Sequence, residues 1–444
     1  MSEIGDVSRR KFLTKAGHSC AAAIVAPIII SSTALAKPGM PGANDRIGMG
    51  FIGCGRQMIG KNIPLFMRVA GVQPIAICDV DSWRIEQALA EMKRQVDLGK
   101  AKSSLGDVVA YADYQDLLAR DDVDAVCVST PDHWHLKMAM DALSAGKDLA
   151  LEKPISRTIR DSQRLIEATK KHQRVFRVDS EFRSGYPAHR ATTLARNGYL
   201  GKIVRVDVGV PLIDFPLELQ AESEVPPELD YQRWLGDAPV QPYTEKRVHP
   251  RYSFERPGWF SITDYADGAI TNWGAHLNGG AMWAADKERT GPIEVTGAGR
   301  FLPKDGLYDV LAEFDVNYRF ADGLEWHYHT DVPYIRITGE DGWVWADFSK
   351  IDAAPKSLLS LQFKNNDRRF TFKGEKEDFI DCVRSRSETL EPAEVGHRIN
   401  SLSLLGLISI HLGRPLKWDP LEQTFPIDEE ANGFLDKPLM RRTI

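Results

Sequence analysis

The residues best suited to chemistry fall in three short clusters. The first is Gly53-Cys54-Gly55, followed by Arg56 and Gln57, with an acid, Asp79, at the end of the next strand-like run. Two glycines let the backbone approach a pyrophosphate, a helix N-terminus after them favours its negative charge, and a carboxylate at 79 can accept both hydroxyls of a ribose. A 2′-phosphate would be repelled there, so NAD is expected over NADP. The motif is imperfect: the position of a third glycine is held by Met58, and the next glycine is Gly60. The second cluster is Thr130-Pro131-Asp132-His133-Trp134-His135 and the third is Glu152-Lys153-Pro154. Thr130, Pro131, His133, His135, Glu152 and Lys153 are expected beside the cofactor. The spacing of His133 and His135 implies no third His, Cys or carboxylate, so they read as cofactor-loop residues and no metal is expected.

These clusters can meet only if strands deliver them to one sheet edge. Residues 46–52 read as a strand, 59–69 have helical apolar spacing, and 72–78 read as the next strand. The stretch 123–129 is continuously apolar, as a parallel strand covered on both faces should be. A helix over 136–145 follows, stopped by Gly146, and residues 148–151 form a further strand. Repeated strand-helix units of this kind define a doubly wound Rossmann domain, assigned to residues 43–178, whose ligands bind at the carboxyl edge. In the remainder, 179–444, strands are read at 203–210, 310–318, 324–329 and 334–338, with long Pro-rich loops near 211–227 and 238–257. The fold class is α/β.

A chain of 444 residues exceeds the roughly 250–300 at which one core stops growing, consistent with two domains. The 56 basic and 62 acidic residues give a net charge of −6, which argues against nucleic acid or an anionic membrane as partner. Cysteines at 20, 54, 78, 127 and 382 form no CxxC; Cys54, Cys78 and Cys127 read as small buried hydrophobes, and no disulfide is needed. Ser8-Arg9-Arg10-Lys11-Phe12-Leu13 resembles a twin-arginine export signal, an apolar stretch covers 21–30, and Ala34-Leu35-Ala36 fits a cleavage site. Residues 1–36 are therefore expected to be a signal peptide read by the Tat machinery, sending the mature chain to the periplasm. The apolar stretch is shorter than the roughly 20 residues of a span, so no stable membrane anchor is expected.

Together with Thr271-Asn272-Trp273-Gly274-Ala275-His276 and Arg414-Pro415-Leu416-Lys417-Trp418-Asp419, these clusters resemble the glucose-fructose oxidoreductase / inositol dehydrogenase / MocA family, in its exported bacterial branch. The resemblance implies an NAD-dependent enzyme acting on a CH–OH group of a small carbohydrate. It also implies a C-terminal α/β domain on a large, mainly antiparallel sheet, whose outer face makes the contacts of a homodimer or homotetramer. The family's lysine of Glu-Lys-Pro contacts the reacting hydroxyl, which here implies Lys153, with a cis peptide before Pro154. His276 matches the second catalytic position, four residues after an acid that is here Asn272. Asparagine can orient an imidazole but cannot stabilise its charged form. Arg183, Tyr186, Asp264 and Tyr265 are candidates for hydrogen bonds to and stacking on a polyol.

Export would have a mechanistic consequence. The Tat route carries folded proteins, so the cofactor would travel bound and need a Kd near nanomolar, about −12 kcal/mol. Release at that affinity takes on the order of a quarter of an hour with association at ~10⁶ M⁻¹s⁻¹, against turnovers of ~10 s⁻¹. The bound cofactor must then be recycled in place. A second substrate can do this, or one substrate can be oxidised and reduced again, the route of a redox-neutral glycosidase. The family's N-acetylgalactosaminidases depart from Glu-Lys-Pro, whereas this chain keeps it, which favours net oxidation. A non-catalytic nucleotide-binding protein would be expected to have lost Lys153 or His276.

Overall fold

The computed structural model describes residues 45–102, 105–369 and 374–439; the proposed signal segment and Cys20 lie outside them. Six strands form the first sheet: β1 (Ile47–Ile52), β2 (Val72–Cys78), β3 (Val109–Tyr111), β4 (Ala125–Val128), β5 (Asp148–Glu152) and β6 (Phe176–Asp179). Their order is β3-β2-β1-β4-β5-β6 and every pairing is parallel. β1, β4, β5 and β6 are buried at every residue, and β1 and β4 accordingly carry apolar residues throughout, whereas in β6 Arg177 and Asp179 alternate with Phe176 and Val178 and pair with Asp378 and Lys376. The order reverses between β1 and β4, and both lead into the glycine and Thr130 clusters at the carboxyl edge.

Two local departures from the sequence reading concern this edge. The helical stretch after the glycine turn contains a π-helical segment, Met58–Asn62, before a short α-helix, Ile63–Phe66. Pro64 has no N–H to give to the residue four before it, and Ile63 N–H instead reaches Met58 O. The helix after β4 begins at Asp132 rather than 136, with Pro131 in extended conformation as its cap. His133, Trp134 and His135 thus stand on a helix's first turn, not in a loop.

The second sheet contains β7 (Ile203–Val210), β8 (Glu294–Phe301), β9 (Leu311–Arg319), β10 (Glu325–Thr330), β11 (Tyr334–Gly339), β12 (Gly342–Ala346), β13 (Ile351–Ala354) and β14 (Leu416–Lys417). They run β13-β12-β11-β7-β10-β9-β8-β14, antiparallel except for the β10–β7 pair. Buried Ala312, Phe314, Val316 and Tyr318 alternate with exposed residues along β9, so one sheet face packs on helices and the other is open. The covering helices are Ala269–Ala284 and Ala393–Leu412, whose Leu277, Leu402 and Leu405 join the main core.

The C-terminal part also returns to the first sheet. Phe379 and Ile380, from the helix Glu375–Ser385, are fully buried in the core beneath β1 and β2, and Phe379 meets Phe66 edge to face at 6.2 Å. Among the described residues, Cys54, Cys78, Cys127 and Cys382 are free and buried, and no helix is long and apolar enough to cross a membrane.

Candidate active site

A cavity of about 590 Å³ opens at the carboxyl edge of the first sheet, walled on its far side by the helix Ala269–Ala284. The glycine turn forms its floor. Gly53 has φ +86°, and a Cβ there would lie 2.6 Å from Ser129 O, so only glycine lets the chain turn here. Around Gly55 nothing among the described residues stands within 4 Å of a Cβ, which leaves a bare backbone surface facing the cavity beside Arg56 and Gln57. Cys54 contributes its backbone: its N–H donates to Asp79 Oδ2 at 2.5 Å, while its side chain turns into the core. Asp79 Oδ1 accepts the Asp81 N–H at 2.9 Å. Burial raises the Asp79 carboxyl's affinity for its proton, and the Cys54 N–H opposes this. These features fit the pyrophosphate and ribose of a dinucleotide: an uncovered backbone turn and an oriented acid on one cavity wall.

The second and third clusters are clamped together. His135 sits with Nδ1 2.6 Å from Pro154 O and Nε2 2.9 Å from Thr130 O, and burial holds its pKa down to about 4. Glu152 is buried and accepts from Asn62 Nδ2 at 3.0 Å; burial first, and then the charge of Asp179, push its pKa up to about 7. Asp179 in turn pairs with buried Lys376. Lys153 follows β5, its peptide to Pro154 is cis, and its Nζ donates to Asn272 Oδ1 at 2.9 Å. His276, one helical turn beyond Asn272, lines the same cavity.

The expected Asn272–His276 pairing is replaced by another. Asn272 is taken by Lys153, and His276 Nδ1 lies 3.1 Å from Ser180 Oγ. Nε2 has no protein partner among the described residues. Burial, with the nearby charge of Lys153 second, holds the His276 pKa well below the ordinary imidazole value, so the ring is neutral at working pH. Ser180 was legible only indirectly: it directly follows β6, at the same edge that carries Lys153. Phe348, 6.3 Å from His276 and 6.0 Å from Trp273, adds an aromatic wall supplied by the second sheet.

Five candidates stand elsewhere. His133 is turned from the cavity wall because its helix starts at Asp132; its ring packs against Tyr265 at 5.1 Å and Trp234 at 5.5 Å. Tyr265 is itself fully buried in that aromatic cluster, and buried Asp264 accepts from Arg157 through its backbone oxygen. Arg183 is a buried ion-pair hub, 2.6 Å from Glu288, 2.5 Å from Glu391 and 2.8 Å from Gly279 O. Tyr186, 61% exposed, opens the helix Tyr186–Arg196 outside the cavity lining. Tyr186→Ala is accordingly expected to leave KM within about twofold of the parent, since surface changes stay within roughly 0.5 kcal/mol; steady-state kinetics check this.

Asp132 is the cavity acid that the motif contained but its spacing did not single out. It is buried, its Oδ2 has no hydrogen-bond partner among the described residues, and burial, opposed by the charge of Lys153, pushes its pKa up to about 8. The unfolded value is about 3.9. Because the folded value is the higher, the contribution is fully present below about pH 4 and is lost progressively up to about pH 8. Asp132→Asn should therefore flatten stability between pH 6 and 8 by up to about 1.4 kcal/mol per pH unit. Urea midpoints of cofactor-stripped protein test this, and identical slopes in parent and variant would contradict it.

The parallel sheet, its uncovered glycine turn and the cavity groups define the class: a two-sheet protein with a Rossmann-type dinucleotide-binding fold. Family models agree in both parts, with the oxidoreductase-family NAD-binding Rossmann fold matching residues 47–180 and the oxidoreductase-family C-terminal alpha/beta domain matching 216–444. The chain belongs to the glucose-fructose oxidoreductase / inositol dehydrogenase / MocA family. A glycosyl hydrolase family 109 protein of Shewanella pealeana is 29% identical over 209 residues, 45% of this chain and 44% of that protein. The match thus spans less than half the length of that relative. Among solved structures, the aldose-aldose oxidoreductase of Caulobacter crescentus, complexed with glycerol, is aligned over 84% of this chain and 99% of its own at TM-score 0.59 and 17% identity. The WlbA dehydrogenase of Bordetella pertussis, in complex with NADH and UDP-GlcNAcA, gives 84%, 99%, 0.59 and 18%. At such identities these two likenesses describe the fold.

Proposed function

We propose that this chain oxidises a CH–OH group of a sugar, glycoside or cyclitol with a tightly held, recycled NAD. The observation that carries the reading is the convergence of Lys153 Nζ, Asn272 and His276 on the cavity that also holds the glycine turn and Asp79. When bound, NAD supplies the hydride acceptor. Lys153 Nζ, as the neutral amine, takes the hydroxyl proton and becomes the ammonium, directed by Asn272 Oδ1. Neutral His276, fixed at Nδ1 by Ser180, offers Nε2 to the same hydroxyl. Trp273 and Phe348 give an apolar wall for the C–H face of a ring and exclude water from the reacting carbon.

A second reading, the redox-neutral glycosidase, draws support from the name of the Shewanella pealeana relative. One experiment separates the two: release and identify the bound cofactor, then follow its absorbance while offering free sugars and aryl glycosides. Reduction of bound cofactor without bond cleavage supports the first reading. Free aglycone without net reduction supports the second, and neither signal across both panels would discard both.

Export to the periplasm through the Tat machinery and assembly as a homo-oligomer belong to the same proposal. The first rests on Arg9-Arg10 and the Ala34-Leu35-Ala36 site; replacing both arginines by lysine should retain a fused reporter in the cytoplasm. The second rests on the open face of the second sheet, and sedimentation of the mature chain measures it.

A further inference from the structure

The open face of the second sheet carries a side-chain cluster remote from the cavity. His327 and His329 alternate with buried Trp326 and Tyr328 along β10, so both imidazoles stand on this face. Asp315 on β9 is directly opposite His329, and Asp207 on β7 is directly opposite His327. His327 Nε2 lies 2.8 Å from Asp315 Oδ2 and 3.1 Å from His329 Nδ1. Asp315, His327 and His329 each offer one ligand atom, all within 4.8 Å of one another. We propose that these three residues bind a divalent transition-metal ion of the zinc type.

Two imidazole nitrogens and one carboxylate oxygen are donors that zinc accepts, at bond lengths of about 2.0–2.2 Å. Such bonds place neighbouring donors roughly 3–3.5 Å apart, close to the spacing around His327 Nε2. The other nitrogen of each ring is also held. His327 Nδ1 lies 3.4 Å from Asp207 Oδ1, and that carboxylate is itself gripped by Arg205 at 2.6 Å. His329 Nε2 lies 3.2 Å from the Tyr334 hydroxyl and 3.7 Å from Asp331. The Asp207 carboxylate favours the His327 tautomer whose Nε2 lone pair is free for a metal, and the Arg205 guanidinium, 3.3 Å from the same Nδ1, competes with it. Asn317 donates to Asp315 Oδ1 at 2.8 Å, which leaves Oδ2 for the ion.

A cluster that only hydrogen-bonds within itself has no use for an ion, and this gives the test. Metal-stripped full-length protein is titrated with Zn²⁺ by calorimetry and with Co²⁺ by visible absorption. One ion per chain is expected, with cobalt d–d bands showing nitrogen and oxygen ligation. His327→Ala/His329→Ala should abolish binding and the bands. Exposed Asp315→Asn, which no core contact requires, should weaken binding at least about tenfold, and Asp207→Asn by about 10–100-fold. If the double variant does not fold, Asp315→Asn decides the matter by itself. No Zn²⁺ binding up to about 100 µM, an affinity of roughly −5.5 kcal/mol, would overturn the assignment. Unchanged affinity in Asp315→Asn, or a spectrum unaltered in the double variant, would do the same.

Discussion

Lys153→Ala should lower the rate of reduction of the bound cofactor by about 10²–10⁴-fold, the usual contribution of a positioned proton acceptor, without loss of the cofactor itself. In the proposed reaction the carbinol proton leaves as the hydride does and Lys153 receives it; in the structure Lys153 Nζ lines the cavity 2.9 Å from Asn272 Oδ1. Lys153 is itself expected beside the cofactor, but the pyrophosphate and ribose are expected on the Gly53 turn and Asp79, which the substitution leaves untouched. Alanine leaves the backbone of this edge in place, because His135 clamps Pro154 O and Thr130 O whatever stands at 153. Single-turnover absorbance of the bound cofactor measures the rate, and heat release followed by quantitation measures the content. A rate within threefold of the parent would remove Lys153 from the reaction. Loss of cofactor together with activity would make it a binding residue.

Arg183→Leu is expected to cost about 3–5 kcal/mol of stability, the scale on which a buried charge left without its partner destabilises a protein. Arg183 is buried and joins Glu288, Glu391 and Gly279 O. Without it Glu391, already pushed up to about 7 by burial, would have to take a proton. Arg183→Lys keeps the charge but loses the fork that reaches several partners at once, so its cost should be smaller. Urea unfolding gives the stability, and kinetics at a temperature where the variant is folded give KM. A variant of full stability whose KM for substrate rises tenfold would return Arg183 to the substrate site.

The nucleotide edge was readable because its chemistry is local in sequence. A turn that only glycine can make, an acid at the next strand's end and continuous apolar strands all leave marks within a few residues. The same locality explains the limits. Asn272 at i and His276 at i+4 share a helix face, which predicts that they touch, yet Lys153 arrives from another strand and claims the asparagine. Ser180 follows β6, and nothing in its own neighbourhood signals that it will meet His276. Arg183 and Tyr265 are polar residues of the kind that bind sugars, but burial with long-range partners gives them other work. β8 was missed because Gly297 and Gly299 weaken a strand pattern. They are required by close approach, since a Cβ at 297 would lie 2.7 Å from the Ile410 side chain and one at 299 would lie 2.8 Å from Glu313 O. The cluster of Asp315, His327 and His329 joins two strands, and only pairing register brings it together.

The return of the Glu375–Ser385 helix to the first sheet bears on how the protein is made. A ribosome would finish β6 long before it reached Phe379, so the emerging Rossmann part would wait with Phe66 and its neighbours uncovered. The glycine turn leads into that same patch through Met58 and Ile63, which share the core with Phe66 and Phe379. The nucleotide pocket would therefore acquire its final rigidity only near the end of synthesis, and a fragment ending after β6 would be a poor vehicle for cofactor binding and prone to aggregate.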